Sequence, residues 1–255
     1  MEDSTKNKDI LEINELTSSY NGKEDVISNC NFKIKEGSIC AIVGESGSGK
    51  STLLRLIAGL ERPKKGTIKI NSKIMSSDRI LIPCQNRNVG LVFQDYALFP
   101  HLNVKENIAY GLKENKDQIV NQLLQLIKME NYADKYPNEL SGGQQQRISI
   151  ARTLALSPKL LLLDEPFSNL DSELKTELRQ EIKRIIKEIG TSLIFITHDI
   201  VDALDIADEI IFLKDGEIIN HKSTGNIFKN VSDKYIIKTK EELKYNAEIV
   251  LKSIK

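Results

Sequence analysis

The chain has 255 residues, with 36 Lys and Arg against 36 Asp and Glu, 40% hydrophobic residues and 28% charged ones. That length allows a substantial core in one large domain or two small ones, and the charge balance gives no global field pointing to nucleic acid. The longest apolar runs, such as Leu160–Leu163, are far too short to cross a bilayer. Met1–Lys6 lacks the apolar segment of a secretion signal. Cys30, Cys40 and Cys84 are scattered and odd in number, which suits free thiols in a reducing cytosol better than a disulfide frame or zinc site. A cytoplasmic location is the expectation.

Residues 1–9 are polar and expected to be loose. Ile10–Leu16 alternates as a strand, and Asn31–Lys35 does so more clearly before a turn at Glu36-Gly37. Between them, Tyr20 stands in the polar run Ser18-Ser19-Tyr20-Asn21-Gly22. It fits a turn residue packing on its neighbours and equally a stacking face for a nucleobase. Ser38–Val43 then reads as a buried strand and Thr52–Ala58 as a helix. They flank Gly44-Glu45-Ser46-Gly47-Ser48-Gly49-Lys50-Ser51, a phosphate-loop pattern in the strand–turn–helix setting that gives it meaning. The glycines let successive N–H groups turn toward one point, and the helix N-terminus adds partial positive charge. Lys50 is placed for the β- and γ-phosphates, and the Ser51 hydroxyl for Mg²⁺. This stretch predicts binding of a nucleoside triphosphate.

Gly66–Ile70 is a further strand, and Val89–Phe93 a short apolar one ending at Gln94. Residues 95–158 change character: helical patterns such as Gln118–Met129 and Gln144–Leu156 dominate, and no strong strand occurs. From Lys159 the alternation of strands and helices resumes, with strands at Lys159–Asp164, Ser192–Thr197, Glu209–Leu213 and Glu217–Ile219 and a long helix over Ser172–Ile189. Asp215-Gly216 is a hairpin turn. The predicted fold is α/β: a largely parallel sheet flanked by helices, with antiparallel β elements and a helical insertion. The expected organisation is a core in two parts, 10–94 and 159–225, a helical unit at 95–158 and a tail at 226–255. Asp164 and Glu165 end a buried strand, where open α/β sheets place their ligands. Asp164 there suits Mg²⁺, and Glu165 the polarisation of an attacking water. Leu140-Ser141-Gly142-Gly143-Gln144 precedes a helix and describes either a chain break or an anion site of N–H groups and a hydroxyl.

Leu140–Gln144 resembles the signature of ATP-binding-cassette ATPases, and the other markers follow in the same order over about residues 10–220. Gln94 matches the Q-loop, Ser168-Asn169-Leu170-Asp171 the D-loop and His198 the switch histidine. The resemblance implies a phosphate-loop NTPase with a RecA-like core and an inserted helical subdomain. It implies two cassettes head to tail, with ATP held between the loop of one chain (Gly44 to Thr52, with Tyr20 at the adenine) and Ser141, Gly142, Gly143 and Gln144 of the other. Glu165 is then the base or water-orienting residue, His198 the partner of the γ-phosphate, and Gln94 a contact to metal and water. Asp171 lines the dimer interface; Asn169 stands where alanine is common.

Asn88–Leu112 closely resembles importer ATPases serving sulfate, ferric iron, molybdate, polyamines or sugars. Tyr96, Leu98, Phe99 and Leu102 are divided between the core of the helical unit and a groove for a short helix of a membrane subunit; Tyr110 fits either. The implied protein is peripheral on the cytoplasmic face, a homodimer on integral permease subunits fed by an extracytoplasmic substrate-binding protein. Sugar and polyamine relatives carry a regulatory β-domain after the cassette. Here Asn226–Lys255 follows, with Lys-rich helical patterning in Glu241–Ile254, either packed or solvated. That difference shifts weight toward an inorganic ion. Polyamine or sugar import, an exporter and a non-transport cassette are the alternatives.

Overall fold

A computed structural model describes residues 8–20, 24–168 and 170–253, with side chains through 248. The looseness expected of residues 1–7, the loop residues Asn21 and Gly22, Asn169 of the D-loop run and the last two residues of the tail lie outside the described residues.

Two sheets carry the fold. The first is antiparallel, in the order β2-β1-β4-β5, from β1 (Asp9–Ser18), β2 (Ile27–Lys35), β4 (Lys65–Ile70) and β5 (Lys73–Ser76). Asp9, expected in the loose segment, is the first residue of β1, where its carboxylate meets Lys35 at 2.9 Å. The second sheet runs β10-β9-β3-β8-β7-β6. Its parallel part is β3 (Ile39–Val43), β6 (Val89–Val92), β7 (Leu160–Asp164), β8 (Ser192–Thr197) and β9 (Glu209–Lys214). β10 (Glu217–Ser223) closes the edge antiparallel to β9. The hairpin between them turns through Asp215 and Gly216 with φ of 49° and 79°, the double positive φ that matches strand twist.

The central strands β3, β7 and β8 are apolar along their length because both faces are covered. One face meets α1 (Lys50–Ala58) and the antiparallel sheet: Cys40, Ile42, Leu160, Leu162, Ile194 and Ile196 pack in one cluster with Leu53, Leu56 and Ile57. The other meets α5 (Ser172–Ile189) and α6 (Ile200–Ile206), through Ala41, Leu161, Leu163 and Phe195 with Leu178, Ile182 and Ala203. The alternation of one strand therefore feeds two cores.

Between β6 and β7 lie α2 (Val104–Ala109), α3 (Lys116–Leu126) and α4 (Gly142–Leu154). The predicted helix Gln118–Met129 ends sooner, at Leu126. Lys128 turns left-handed (φ 56°), and the N–H groups of Lys128 and Met129 fold back onto Gln125 and Leu124, closing the last turn. The helix expected through Leu156 likewise stops at Leu154, with Ala155 as its cap. In the tail, α7 (Lys234–Ser253) starts well before the predicted Glu241. Its first turn is packed: Ile236 is buried, and Tyr235 meets the Phe212 ring edge-on at 5.9 Å.

Candidate functional site

The glycine loop leaves β3 at the carboxyl edge of the parallel sheet and returns as α1. Gly44 has no room for a side chain, since a Cβ would lie 2.2 Å from the Leu213 carbonyl on β9. Gly49 caps α1 at φ 100°, a left-handed state that glycine adopts without steric cost. The loop is thereby held against the sheet, with the Ser48 N–H turned onto the Glu45 carbonyl at 3.2 Å. Lys50, 5% exposed, bends over it, donating to the carbonyls of Gly44 and Glu45, both at 2.8 Å. Burial lowers its pKa, opposed by the charges of Glu165 and Asp164.

Ser51 donates to Asp164 Oδ1 at 3.4 Å, joining the first turn of α1 to the end of β7. Burial raises the Asp164 pKa, and the neighbouring Glu165 charge adds to it; Arg55, the Ser51 hydroxyl and Lys50 act the other way. A hydroxyl and a desolvated carboxylate form a hard-oxygen pair of the kind Mg²⁺ takes together with substrate phosphates. The described residues hold no group of three or more His, Cys, Asp and Glu suited to a metal, so such an ion would rely on the nucleotide for further ligands.

Glu165 follows β7 in left-handed backbone, φ 44°, while its N–H still bonds the Ile196 carbonyl at 3.2 Å. Its carboxylate lies 3.1 Å from His198 Nδ1. Ser168 links it to Gln94: the Ser168 hydroxyl donates to the Glu165 carbonyl at 3.0 Å and receives Gln94 Nε2 at 3.2 Å. Gln94, read as a metal contact, is thus bonded to Ser168 rather than to Ser51 or Asp164. Tyr20 is 59% exposed, and its hydroxyl sits 2.6 Å from Thr52 Oγ1. A cleft of about 270 Å³ is lined by Tyr20, Val26, Ser46, Gly47, Gly49, Lys50, Ser51, Thr52 and Glu165. The ring that was either turn filler or stacking face therefore borders the phosphate-loop cleft.

Ser141, Gly142, Gly143 and Gln144 stand apart from this cleft, at the amino end of α4. Ser141 caps the helix: its hydroxyl accepts the Gln144 N–H at 3.4 Å, and the Gln144 amide oxygen accepts the Ser141 N–H at 2.9 Å. Ser141 is exposed and Gly143 is buried, although a Cβ on Gly143 would meet nothing within 4 Å. One chain brings together Tyr20, the loop, Asp164, Glu165, Gln94 and His198, and it leaves the Ser141–Gln144 helix end outside.

Two contributors escaped the sequence reading. Ser168 was noted only as part of a run, and nothing local marks it as the bridge between Gln94 and Glu165. Arg87, 1% exposed, spends its guanidinium on carbonyls of Leu56, Ile57, Ile82 and Met75 and on the Ser76 hydroxyl, closing the carboxyl end of α1. Burial pulls its pKa down to about 10, so it is charged at neutral pH.

Glycine loop, buried lysine, helix N-terminus and strand-end carboxylate together define a phosphate-loop nucleotide-binding domain. The family described as ABC transporter matches residues 27–168. The chain belongs to that family. It is 42% identical to a probable sulfate/thiosulfate import ATP-binding protein CysA of Chlorella vulgaris, over 84% of this chain and 92% of that one. It is 40% identical to the Fe(3+) ions import ATP-binding protein FbpC 1 of Haemophilus influenzae, over 84% of this chain and 65% of the other. It is also 40% identical to the spermidine/putrescine import ATP-binding protein PotA of Pasteurella multocida, over 98% of this chain and 68% of the other. The chain thus spans about two thirds of the longer relatives. Among solved structures, the dimeric ATP-binding cassette MJ0796 in a post-hydrolysis state with ADP and Pi is 33% identical. The likeness has a TM-score of 0.72 and covers 84% of this chain and 98% of that one.

Proposed function

We propose that the chain is the ATP-hydrolysing subunit of an importer, working as a homodimer on the cytoplasmic face of a membrane and driving permease subunits. The observation that carries this reading is the separation of two half-sites. The cleft beside the phosphate loop is lined without Ser141, Gly142, Gly143 or Gln144, while Ser141 stands exposed at the capped amino end of α4. A second copy, head to tail, supplies what one chain lacks, in keeping with the dimeric MJ0796 cassette.

In such a dimer, Tyr20 stacks on the base and the loop N–H groups with Lys50 bind the phosphates. Ser51 and Asp164 would hold Mg²⁺, which when bound neutralises phosphate charge. Glu165 takes a proton from, or orients, the attacking water, with its carboxylate held by His198 on one side and its carbonyl by Ser168 on the other. Gln94, through Ser168, reports nucleotide state to the segment after β6. That segment borders a groove of about 690 Å³ that includes Phe93, Phe99, Tyr110, Leu156 and Arg152, with the Arg152 guanidinium 5.2 Å above the Phe99 ring. An apolar groove with exposed aromatics suits a short amphipathic helix of a permease. The boundaries 10–94, 95–158, 159–225 and 226–255 then separate a catalytic core in two parts, a helical unit that carries the groove and signature, and a tail.

For cargo, we propose an inorganic ion such as sulfate, ferric iron or molybdate, delivered by an extracytoplasmic binding protein; the named activities of the Chlorella and Haemophilus relatives support it. Polyamine import is the second reading, favoured by the Pasteurella match extending over 98% of this chain. The test is to recover the chain from membranes with its permease and measure ATPase activity with the binding protein and each solute. Stimulation by one inorganic ion is the expected result, and stimulation by spermidine moves the assignment to polyamines. Failure to recover a permease, with no solute stimulating, overturns the importer reading in favour of an exporter or non-transport cassette.

A further inference from the structure

His198 has one side-chain hydrogen-bond partner among the described residues, Glu165, and its side chain is 57% exposed. Its position must therefore come from the backbone on either side. Beside the pairing of Thr197 with Val43 of β3 and the Asp199 cap on Val201, one hydroxyl ties that backbone across the histidine. Thr197 Oγ1 accepts the N–H of Asp199 at 3.0 Å and donates to Asp202 Oδ2 at 3.0 Å. Thr197 ends β8 and Asp199 caps α6, so the bond pair brackets the histidine.

Asp202, 3% exposed on α6, is itself fixed from the other side. Its Oδ1 accepts Arg179 Nη1 of α5 at 3.0 Å. Arg179 is buried too, and it also donates to Thr176 Oγ1 at 3.0 Å and meets Asp205 at 3.1 Å. A buried carboxylate and guanidinium are a poor source of net stability compared with apolar side chains of the same size, but they specify one register. Here the register is that of β8, α6 and α5. Asp171 caps the start of α5, its carboxylate accepting the Leu174 N–H at 3.0 Å. The chain of contacts runs from the start of α5 to the peptide on either side of His198.

We propose that Asp202 is a positioning residue for His198, setting the imidazole through Thr197 and tying it through Arg179 to α5. This rests on the reading of His198 as a hydrolytic residue and adds the device that aims it. With Asp202 or the Thr197 hydroxyl removed, the ring samples positions away from Glu165, while the phosphate loop, on a different strand and helix, stays as it is. The loss then falls on turnover and spares nucleotide binding.

The experiment uses the full chain and compares Thr197→Val, Thr197→Ser, Asp202→Asn and Asp205→Asn with the parent and with His198→Ala. ATPase kcat and KM, nucleotide affinity, melting temperature and the ¹⁵N shifts of the His198 ring are measured. If the parent fails to hydrolyse ATP, or His198→Ala retains its rate, the reading of His198 itself fails. With those controls in order, Thr197→Val and Asp202→Asn are expected to lose at least tenfold in kcat with nucleotide affinity within twofold. Their His198 ring shifts should move, Thr197→Ser should restore the rate, and Asp205→Asn should match the parent. Should Asp202→Asn prove unstable, Thr197→Val carries the test, since it removes one hydroxyl and leaves the charge pair. A folded Thr197→Val with parental kcat and ring shifts overturns the proposal. So does an Asp205→Asn that loses rate as severely as Asp202→Asn.

Discussion

Replacing Arg87 with Met tests whether the nucleotide-binding helix is held from behind. Met keeps much of the apolar stem and removes every donor. Of the carbonyls that Arg87 serves, Leu56 also receives the Gly59 N–H and Met75 the Ile82 N–H, so these keep a partner. The carbonyls of Ile57 and Ile82 have Arg87 as their hydrogen-bond donor and lose it. A buried acceptor left unpaired costs about 1–3 kcal/mol, so the variant should lose about 1–3 kcal/mol through the buried Ile57 carbonyl and a smaller amount through the part-buried Ile82 carbonyl. Set against a typical domain stability of about 5–15 kcal/mol, that is a large share. Urea denaturation followed by far-UV circular dichroism gives the difference directly. ATP at 100 times its dissociation constant should add about 2.7 kcal/mol to parent and variant alike, so the difference should persist in its presence. An Arg87→Met protein within about 1 kcal/mol of the parent would refute the account of Arg87 as the closure of α1.

Glu165→Gln should keep ATP affinity and lower turnover by about 10²–10⁴-fold, the usual worth of a general base, and it should accumulate an ATP-bound dimer visible by size-exclusion chromatography. Parental turnover would remove Glu165 from the chemistry. Lys50→Ala takes away a charge-assisted phosphate contact and should weaken ATP binding by about 10–100-fold, measured by calorimetry. Asp164→Asn should abolish Mg²⁺-dependent hydrolysis and yet raise the melting temperature at neutral pH. Burial and Glu165 raise the folded-state pKa of Asp164 above its unfolded value. The native state therefore holds that proton more tightly. The destabilisation is full above the folded pKa and disappears as pH falls to the unfolded one. The gain from Asn should accordingly shrink in acid, and a gain independent of pH would contradict it.

What could be read from the sequence and what could not divides along the distance between cooperating residues. The phosphate loop, the end of β7 and the Ser141 cap are local: a strand, a turn and a helix start are written within a dozen residues, and each carries its own chemistry. α5 and β8 were placed to the residue because the caps Asp171 and Gly190 and an unbroken apolar run mark them plainly. β5 was missed because four residues hold too little alternation to read, and α2 because six residues hardly make a period. The Asn103/Glu106 capping box was nevertheless in plain view. The early start of α7 hides in Tyr235 and Ile236, whose burial depends on Phe212 and its neighbours far up the chain.

Arg87 and the Thr197–Asp202–Arg179 group belong to a different category. A charged side chain in a polar stretch reads as surface, and only the assembled fold reveals a buried carbonyl cluster or an opposite charge that keeps it inside. The distinction follows from what each kind of residue does. A residue that touches phosphate can be recognised from its immediate neighbours, because the ligand imposes a local pattern. A residue that aims another through strands and helices answers to a geometry that exists only after folding. If Asp202 and Thr197 aim His198 as proposed, substitutions at either should separate hydrolysis from binding although neither residue lines the cleft.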